Sequence, residues 1–205
     1  MSYRSGRTRW KRFAAVLAPG IVAAAALGIG MAQGALAASF LISGQKFQVA
    51  ADTLDIRGLS IYPLVDVAKK GTLVPVVVIG ARRATLDGLC QSVVVPVPLL
   101  GPYTLRTTAG ERSRATNLFL DTTSVSVGQA NFDDIDIGVA AGAISKGPIS
   151  PGDRDSRFFD PNVFAQQAVS ATLIDVRATE VAVAASTFNL PDLDVQVKQG
   201  RHECF

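Results

Sequence analysis

The stretch Phe47-Gln48-Val49-Ala50-Ala51-Asp52-Thr53-Leu54-Asp55-Ile56 decides the fold class. Its apolar side chains fall at Phe47, Val49 and Ala51, and then at Leu54 and Ile56, a spacing of two on either side of one interruption. Successive side chains of an extended chain point to opposite faces, so this spacing predicts a strand with one buried face. Further strand-like runs cover 74–79, 92–97, 103–107, 117–127, 132–139, 179–185 and 193–198, with Gly, Pro, Asn and Asp at their flanks in turn positions. No window beyond residue 37 makes a capped amphipathic helix, and only 164–171 has room for a helical turn or two. The expected fold is a single all-β domain.

A loose unit recurs along these strands. It reads Ala51-x-x-Leu54-x-Ile56, Ala115-x-x-Leu118-x-Leu120, Phe132-x-x-Ile135-x-Ile137 and Leu190-x-x-Leu193-x-Val195. A sister form reads Ala84-Thr85-Leu86 and Ala171-Thr172-Leu173. Short strands that stack similar residues in layers write such a pattern, which predicts a solenoid-like or elongated sheet arrangement. The starts at 51, 84, 115, 132, 171 and 190 share no period, so a β-sandwich or barrel is the alternative. Two breaks interrupt the strands: 143–161 reads as a long surface loop and 108–114 as a polar hairpin end.

Upstream, Arg4, Arg7, Arg9, Lys11 and Arg12 precede an uncharged apolar run at 13–31, the order of a secretory leader with its basic and apolar regions. Ala35 and Ala37 supply the small side chains of a signal-cleavage site. Residues 1–37 are thus expected to be a signal peptide, or a membrane anchor formed by an N-terminal apolar helix, and 38–205 the exported domain. Either way the flanking cations place the domain outside the cytoplasm, secreted or held at the cell envelope.

The leader also accounts for the charge. The chain nets +3 with 20 basic and 17 acidic residues, but five of the basic residues and none of the acids precede residue 38. The remainder is slightly acidic and has no basic run interleaved with aromatics, so nucleic acid is not expected as a partner. The pairs Lys69-Lys70 and Arg82-Arg83 read as solvated turns or as protection of an edge strand. Apolar content of 48% with 18% charged residues argues for a folded core rather than disorder.

Cys90 and Cys204 are the two cysteines. In an oxidising compartment they are expected to pair as a disulfide, the alternative being two free thiols. His202, Glu203 and Cys204 are adjacent on a short tail and do not form a metal site, and no metal is expected.

Catalytic signatures are weak. Gly58-Leu59-Ser60-Ile61-Tyr62 comes nearest to a serine-hydrolase elbow, but Tyr62 stands where the second small residue belongs, and the lone histidine is His202. Asp133, Asp134 and Asp136 alternate with Ile135 and Ile137, as on the polar face of a half-buried strand, and Asp153 with Asp155 matches no calcium loop. No phosphate-cradling loop or dinucleotide fingerprint occurs, so neither catalytic residues nor a cofactor are expected.

The order of segments adds a resemblance. Ser43-Gly44-Gln45-Lys46-Phe47, Ala84-Thr85-Leu86, Cys90-Gln91-Ser92-Val93, residues 115–121 and 132–138, Phe164-Ala165-Gln166-Gln167-Ala168 and Glu203-Cys204-Phe205 together resemble an exported actinobacterial family of unknown function. The resemblance implies a leader, two cysteines and a small multi-span membrane protein as a possible partner. It also implies, through the label cholesterol esterase carried by some members, a lipid or other apolar ligand. The expected role is that of a non-catalytic exported or envelope protein binding such a partner or ligand. The alternatives are a secreted sterol esterase and a structural surface component.

Overall fold

The computed structural model describes residues 43–205. The apolar helix expected over 13–31 and the cleavage site at Ala35 and Ala37 lie outside these residues. Nine strands make up most of the described chain: β1 Phe47–Val67, β2 Leu73–Asp87, β3 Cys90–Val97, β4 Gly101–Thr108, β5 Ser113–Ser126, β6 Gln129–Ala140, β7 Phe164–Ala184, β8 Thr187–Asn189 and β9 Asp194–Gln199. A single helical turn, α1, spans Pro151–Arg154. The all-β expectation holds, in one large sheet.

Every pairing is antiparallel, in the order β6-β7-β5-β2-β1-β3-β4-β9, with β8 on β5 and an additional pairing of β7 with β1. That last contact closes β1, β2, β5 and β7 into a hydrogen-bonded ring, which leaves these four strands without a free edge along much of their length. β1 and β7 each run 21 residues, longer than the short strands expected. Their length follows from double duty. β7 pairs β6 along 164–174 and β5 along 177–184, while β1 pairs β2 from Thr53 onward and β3 at Gln48–Ala50.

The recurring unit has a local cause. A row of residues drops out of the ladder at the same level on five neighbouring strands: Asp134, Val169, Gly58, Arg82 and Asn117. Register is kept across the row, and on alternate strands the omitted residue has positive φ: Asp134 at 51°, Gly58 at 70° and Asn117 at 44°. Gly tolerates that conformation for want of a Cβ, and Asn and Asp tolerate it better than other residues. Each strand changes faces there. The core therefore takes Ile56 and then Leu59 on β1, Ala84 and then Ala81 on β2, Ala115 and then Leu118 on β5, and Ala171 and then Ala168 on β7. This three-residue step in an otherwise two-residue pattern is the unit that starts at Ala115 and at Phe132, and the unit at Ala51 takes the same step one level away, where Asp52 drops out opposite Asp175.

Past the row, the outward faces of β1 and β2 are apolar too, with Tyr62, Leu64, Val76 and Val78 buried. They are covered by residues 141–163, which form a strap where a surface loop was expected. Ala141 and Ile149 are buried, and Ile144, Phe159 and Val163 pack beside them. The strap is also fastened by polar contacts. Tyr62 Oη donates to Asp153 Oδ2 (2.7 Å) and accepts from the Ser150 N–H (3.1 Å). Gln167 Oε1 accepts the N–H groups of Ser145 (2.7 Å) and Lys146 (2.9 Å).

Three smaller expectations need correction. Residues 164–171 are the start of β7 rather than a helical turn, because Ala165 packs beneath the strap and Ala168 in the ring interior while the backbone pairs on both sides. Residues 108–114 are a crossover rather than a hairpin end, since β4 pairs β3 and β9 whereas β5 pairs β2. Arg82 and Arg83 sit on β2 between β1 and β5, neither in a turn nor at an edge.

Candidate functional site

Strands β3, β4 and β9 form a three-stranded wing whose two faces differ sharply. On one face Ser92 and Thr104 are buried beneath the C-terminal tail. Thr104 Oγ1 donates to the Gly200 carbonyl (2.7 Å) and accepts from the His202 N–H (3.0 Å), and Ser92 Oγ accepts from the Cys204 N–H (3.0 Å). The Cys90–Cys204 disulfide, with Cα atoms 5.9 Å apart, pins the tail in place.

The opposite face is bare. Cross-strand register sets Val93 beside Leu105 and Val197, and Val95 beside Tyr103. Val95, Val97, Leu100, Tyr103, Leu105 and Val197 line a shallow concavity of about 370 Å³ that is almost wholly apolar. The β3–β4 turn extends it: Leu99 is fully exposed and Leu100 is 59% exposed. From Val93 to Tyr103 no side chain is charged, and the Tyr103 hydroxyl is the sole polar side-chain group. Pro96 and Pro102 face each other across the hairpin and Pro98 lies in the turn, so three positions near the tip have no N–H to desolvate. The Leu100 N–H is satisfied by the Val97 carbonyl (3.2 Å).

The interior of the ring offers a different environment. It holds a narrow cavity of about 40 Å³ among Leu54, Leu118, Leu173 and Val183, room for a water or two but far below the size of a lipid. Glu180 projects from β7 into this space, fully buried, and neither carboxyl oxygen has a hydrogen-bond partner among the described residues. Burial, and then the nearby Asp121, push its pKa up to about 8. Asp121 on β5 is likewise raised to about 8 by burial and then by Asp66 and Asp153, and Asp66 on β1 to about 6 by burial and Asp153. Burial also raises Asp153, although hydrogen bonds from Tyr62 and Ser150 pull it back. Sequence reading missed this chain of acids because its members stand on separate strands and the strap.

The residues weighed from sequence are dispersed. Ser60 is fully buried beneath the strap and its Oγ donates to the Pro148 carbonyl. His202 lies in the tail with Nε2 on the Gln199 carbonyl (3.0 Å), and no hydrogen bond joins it to Ser60. Asp134 and Asp136 both hold Lys146 Nζ of the strap at 2.8 Å. That contact lowers the pKa of Asp136 and raises that of Lys146. Asp153 serves Tyr62, and no group of His, Cys, Asp and Glu among the described residues is arranged to hold a metal ion. None of the described helices is long and apolar enough to cross a membrane.

A model for a family of unknown function, DUF6230, matches residues 43–205. No curated protein and no solved structure matches the chain.

Proposed function

The chain belongs to the family of unknown function DUF6230, and from the bare wing of this member we propose that it is an extracytoplasmic, non-catalytic protein that docks on a lipid surface through the β3–β4 tip. The observation that carries this reading is the uncharged hairpin from Val93 to Tyr103, with Leu99 and Leu100 at its exposed end. Apolar side chains gain about 25 cal/mol per Å² on leaving water, and a clustered patch of them is a recognised mark of a contact surface. The prolines matter as much. In hydrocarbon an unpaired backbone N–H costs several kcal/mol, so a tip with three N–H groups removed enters a lipid interface at smaller cost than an ordinary turn.

The apolar ligand implied by the resemblance is thus assigned to the outside of the wing rather than to the ring interior. Esterase chemistry gains no support from Ser60, whose hydroxyl is spent on a main-chain carbonyl under the strap. Residues 1–37 deliver the domain across the membrane in this proposal.

The test compares wild-type protein, recovered in its exported form, with Leu99→Asp/Leu100→Asp in co-sedimentation with protein-free lipid vesicles. Wild type is expected to pellet with the vesicles and the double variant to lose about tenfold or more in partitioning. Wild type that stays in the supernatant with vesicles but pellets with native membranes would replace lipid by a membrane protein as the docking partner. Equal partitioning of wild type and variant would remove the tip from the reading.

A further inference from the structure

On the outer face of the ring, the strap covers one side of the face-switching row and leaves the other side open. There β1, β2, β5, β6 and β7 form a groove of about 550 Å³, within the range of small-molecule sites. Its charged lining is unusual. Arg57 on β1 and Arg83 on β2 stand directly opposite each other in the ladder. Arg114, paired with Thr85, sits one pleat along from Arg83 on the next strand. Like charges directly opposed on a sheet are destabilising. Neutralisation was within reach, since Asp55 and Asp133 line the same groove. Yet the salt bridges among the described residues join Lys146 to Asp134 and Asp136, and Arg201 to Glu203, leaving Arg57, Arg83 and Arg114 out. The two carboxylates are turned to hydroxyls instead: Thr172 Oγ1 donates to Asp55 Oδ1 and Ser170 Oγ to Asp133 Oδ2, both at 2.6 Å.

We propose that this groove binds a phosphorylated polyol, with Arg57, Arg83 and Arg114 receiving the phosphate and Asp55 and Asp133 accepting hydroxyl groups of the ligand. Guanidinium forks match phosphate oxygens two at a time, and a concave wall concentrates the field of three cations toward one anion. A carboxylate with a lone pair still free is the usual acceptor for a sugar or glycerol hydroxyl. The mixture of the two fits a ligand that carries both groups better than it fits a bare anion. This proposal is independent of membrane docking by the wing.

Calorimetric titration with glycerol phosphate, inorganic phosphate and glycerol tests it, alongside vesicles containing phosphatidylglycerol as the lipid source of the same headgroup. Glycerol phosphate is expected to bind more tightly than inorganic phosphate, and glycerol alone not to bind. Arg83→Gln should weaken glycerol phosphate by about tenfold or more, the value of a lost charge-assisted hydrogen bond. The same variant should keep or raise the thermal midpoint, because it relieves the repulsion with Arg57. Arg154→Gln, an exposed cation on α1, should leave binding unchanged. Vesicle binding by the Leu99→Asp/Leu100→Asp protein that Arg83→Gln abolishes would assign the phosphate to a lipid headgroup, and binding of the soluble compound would assign it to a free polyol. Absence of binding to every phosphate probe, or equal losses from Arg83→Gln and Arg154→Gln, would overturn the proposal.

Discussion

Glu180 is the residue at which this fold departs furthest from what burial ordinarily permits. A carboxyl group without partners in an apolar cavity avoids the cost of a buried charge by keeping its proton. Its pKa of about 8 in the folded chain lies above its ordinary value of 4.5, so between those limits the native state holds a proton that the unfolded chain releases. Stability should therefore fall as pH rises through that window and level off above it, the reverse of the trend set by ion-paired carboxylates. Asp121, raised by burial and then by Asp66 and Asp153, and Asp66, raised by burial and then by Asp153, act in the same direction. Glu180→Gln should remove part of the decline and gain about 1–3 kcal/mol near pH 9, measured by urea denaturation there and near pH 5. A variant with the wild-type slope would show that Glu180 ionises at its ordinary pH. None of this was legible in the sequence, where Glu180 is one polar residue in the alternating run 179–185, and nothing local reveals that its face looks inward.

At the scale of the element, the strands were legible and their switch of faces was half legible. Alternation at Phe47, Val49 and Ala51 identified β1, and the three-residue step of the recurring unit was visible as a pattern. Its meaning was hidden because the row is shared among separate strands and only alternate ones mark it with a positive φ, at Asn117, Asp134 and Gly58, while Arg82 and Val169 pass it without one. The helical option at 164–171 failed because Ala165 and Ala168, three apart, mimic a helical step although they lie on opposite faces of β7, Ala165 beneath the strap and Ala168 in the ring interior. The row predicts a sharp contrast at one site. Asn117→Val places a β-branched residue in the left-handed region and should cost about 1–2 kcal/mol, whereas Asn117→Gly should be neutral within a few tenths. Chemical denaturation of both variants measures the difference. Equal stabilities would mean that β5 can pass the row without the left-handed residue.

The molecule as a whole depends on one link between distant parts of the chain. The wing is joined to the ring through the short β1–β3 pairing at Gln48–Ala50, so the tail supplies much of its ordering. That tail crosses β4 and β3 to reach β1 on five main-chain hydrogen bonds, two from Gly200 and one each from His202, Cys204 and Phe205, too few to hold it alone. The disulfide changes the balance because it joins residues 114 apart. Closing a loop of that length removes about 4–5 kcal/mol of entropy from the unfolded chain. Cys204→Ser, Cys90→Ser and the double variant should therefore lose the same amount, since all three remove one bond and their effects do not add. Reducing agent should lower wild type to the level of the variants. The loss has a second consequence at the wing, where a released tail bares the face carrying Ser92 and Thr104 and exposes their amide neighbours to hydrogen exchange. Faster exchange confined to β3, β4 and β9, with β1, β2, β5 and β7 protected until global unfolding, is the expected pattern. An unfolding midpoint unchanged by reduction would mean that the hydrogen bonds of the tail hold the wing without the covalent tie.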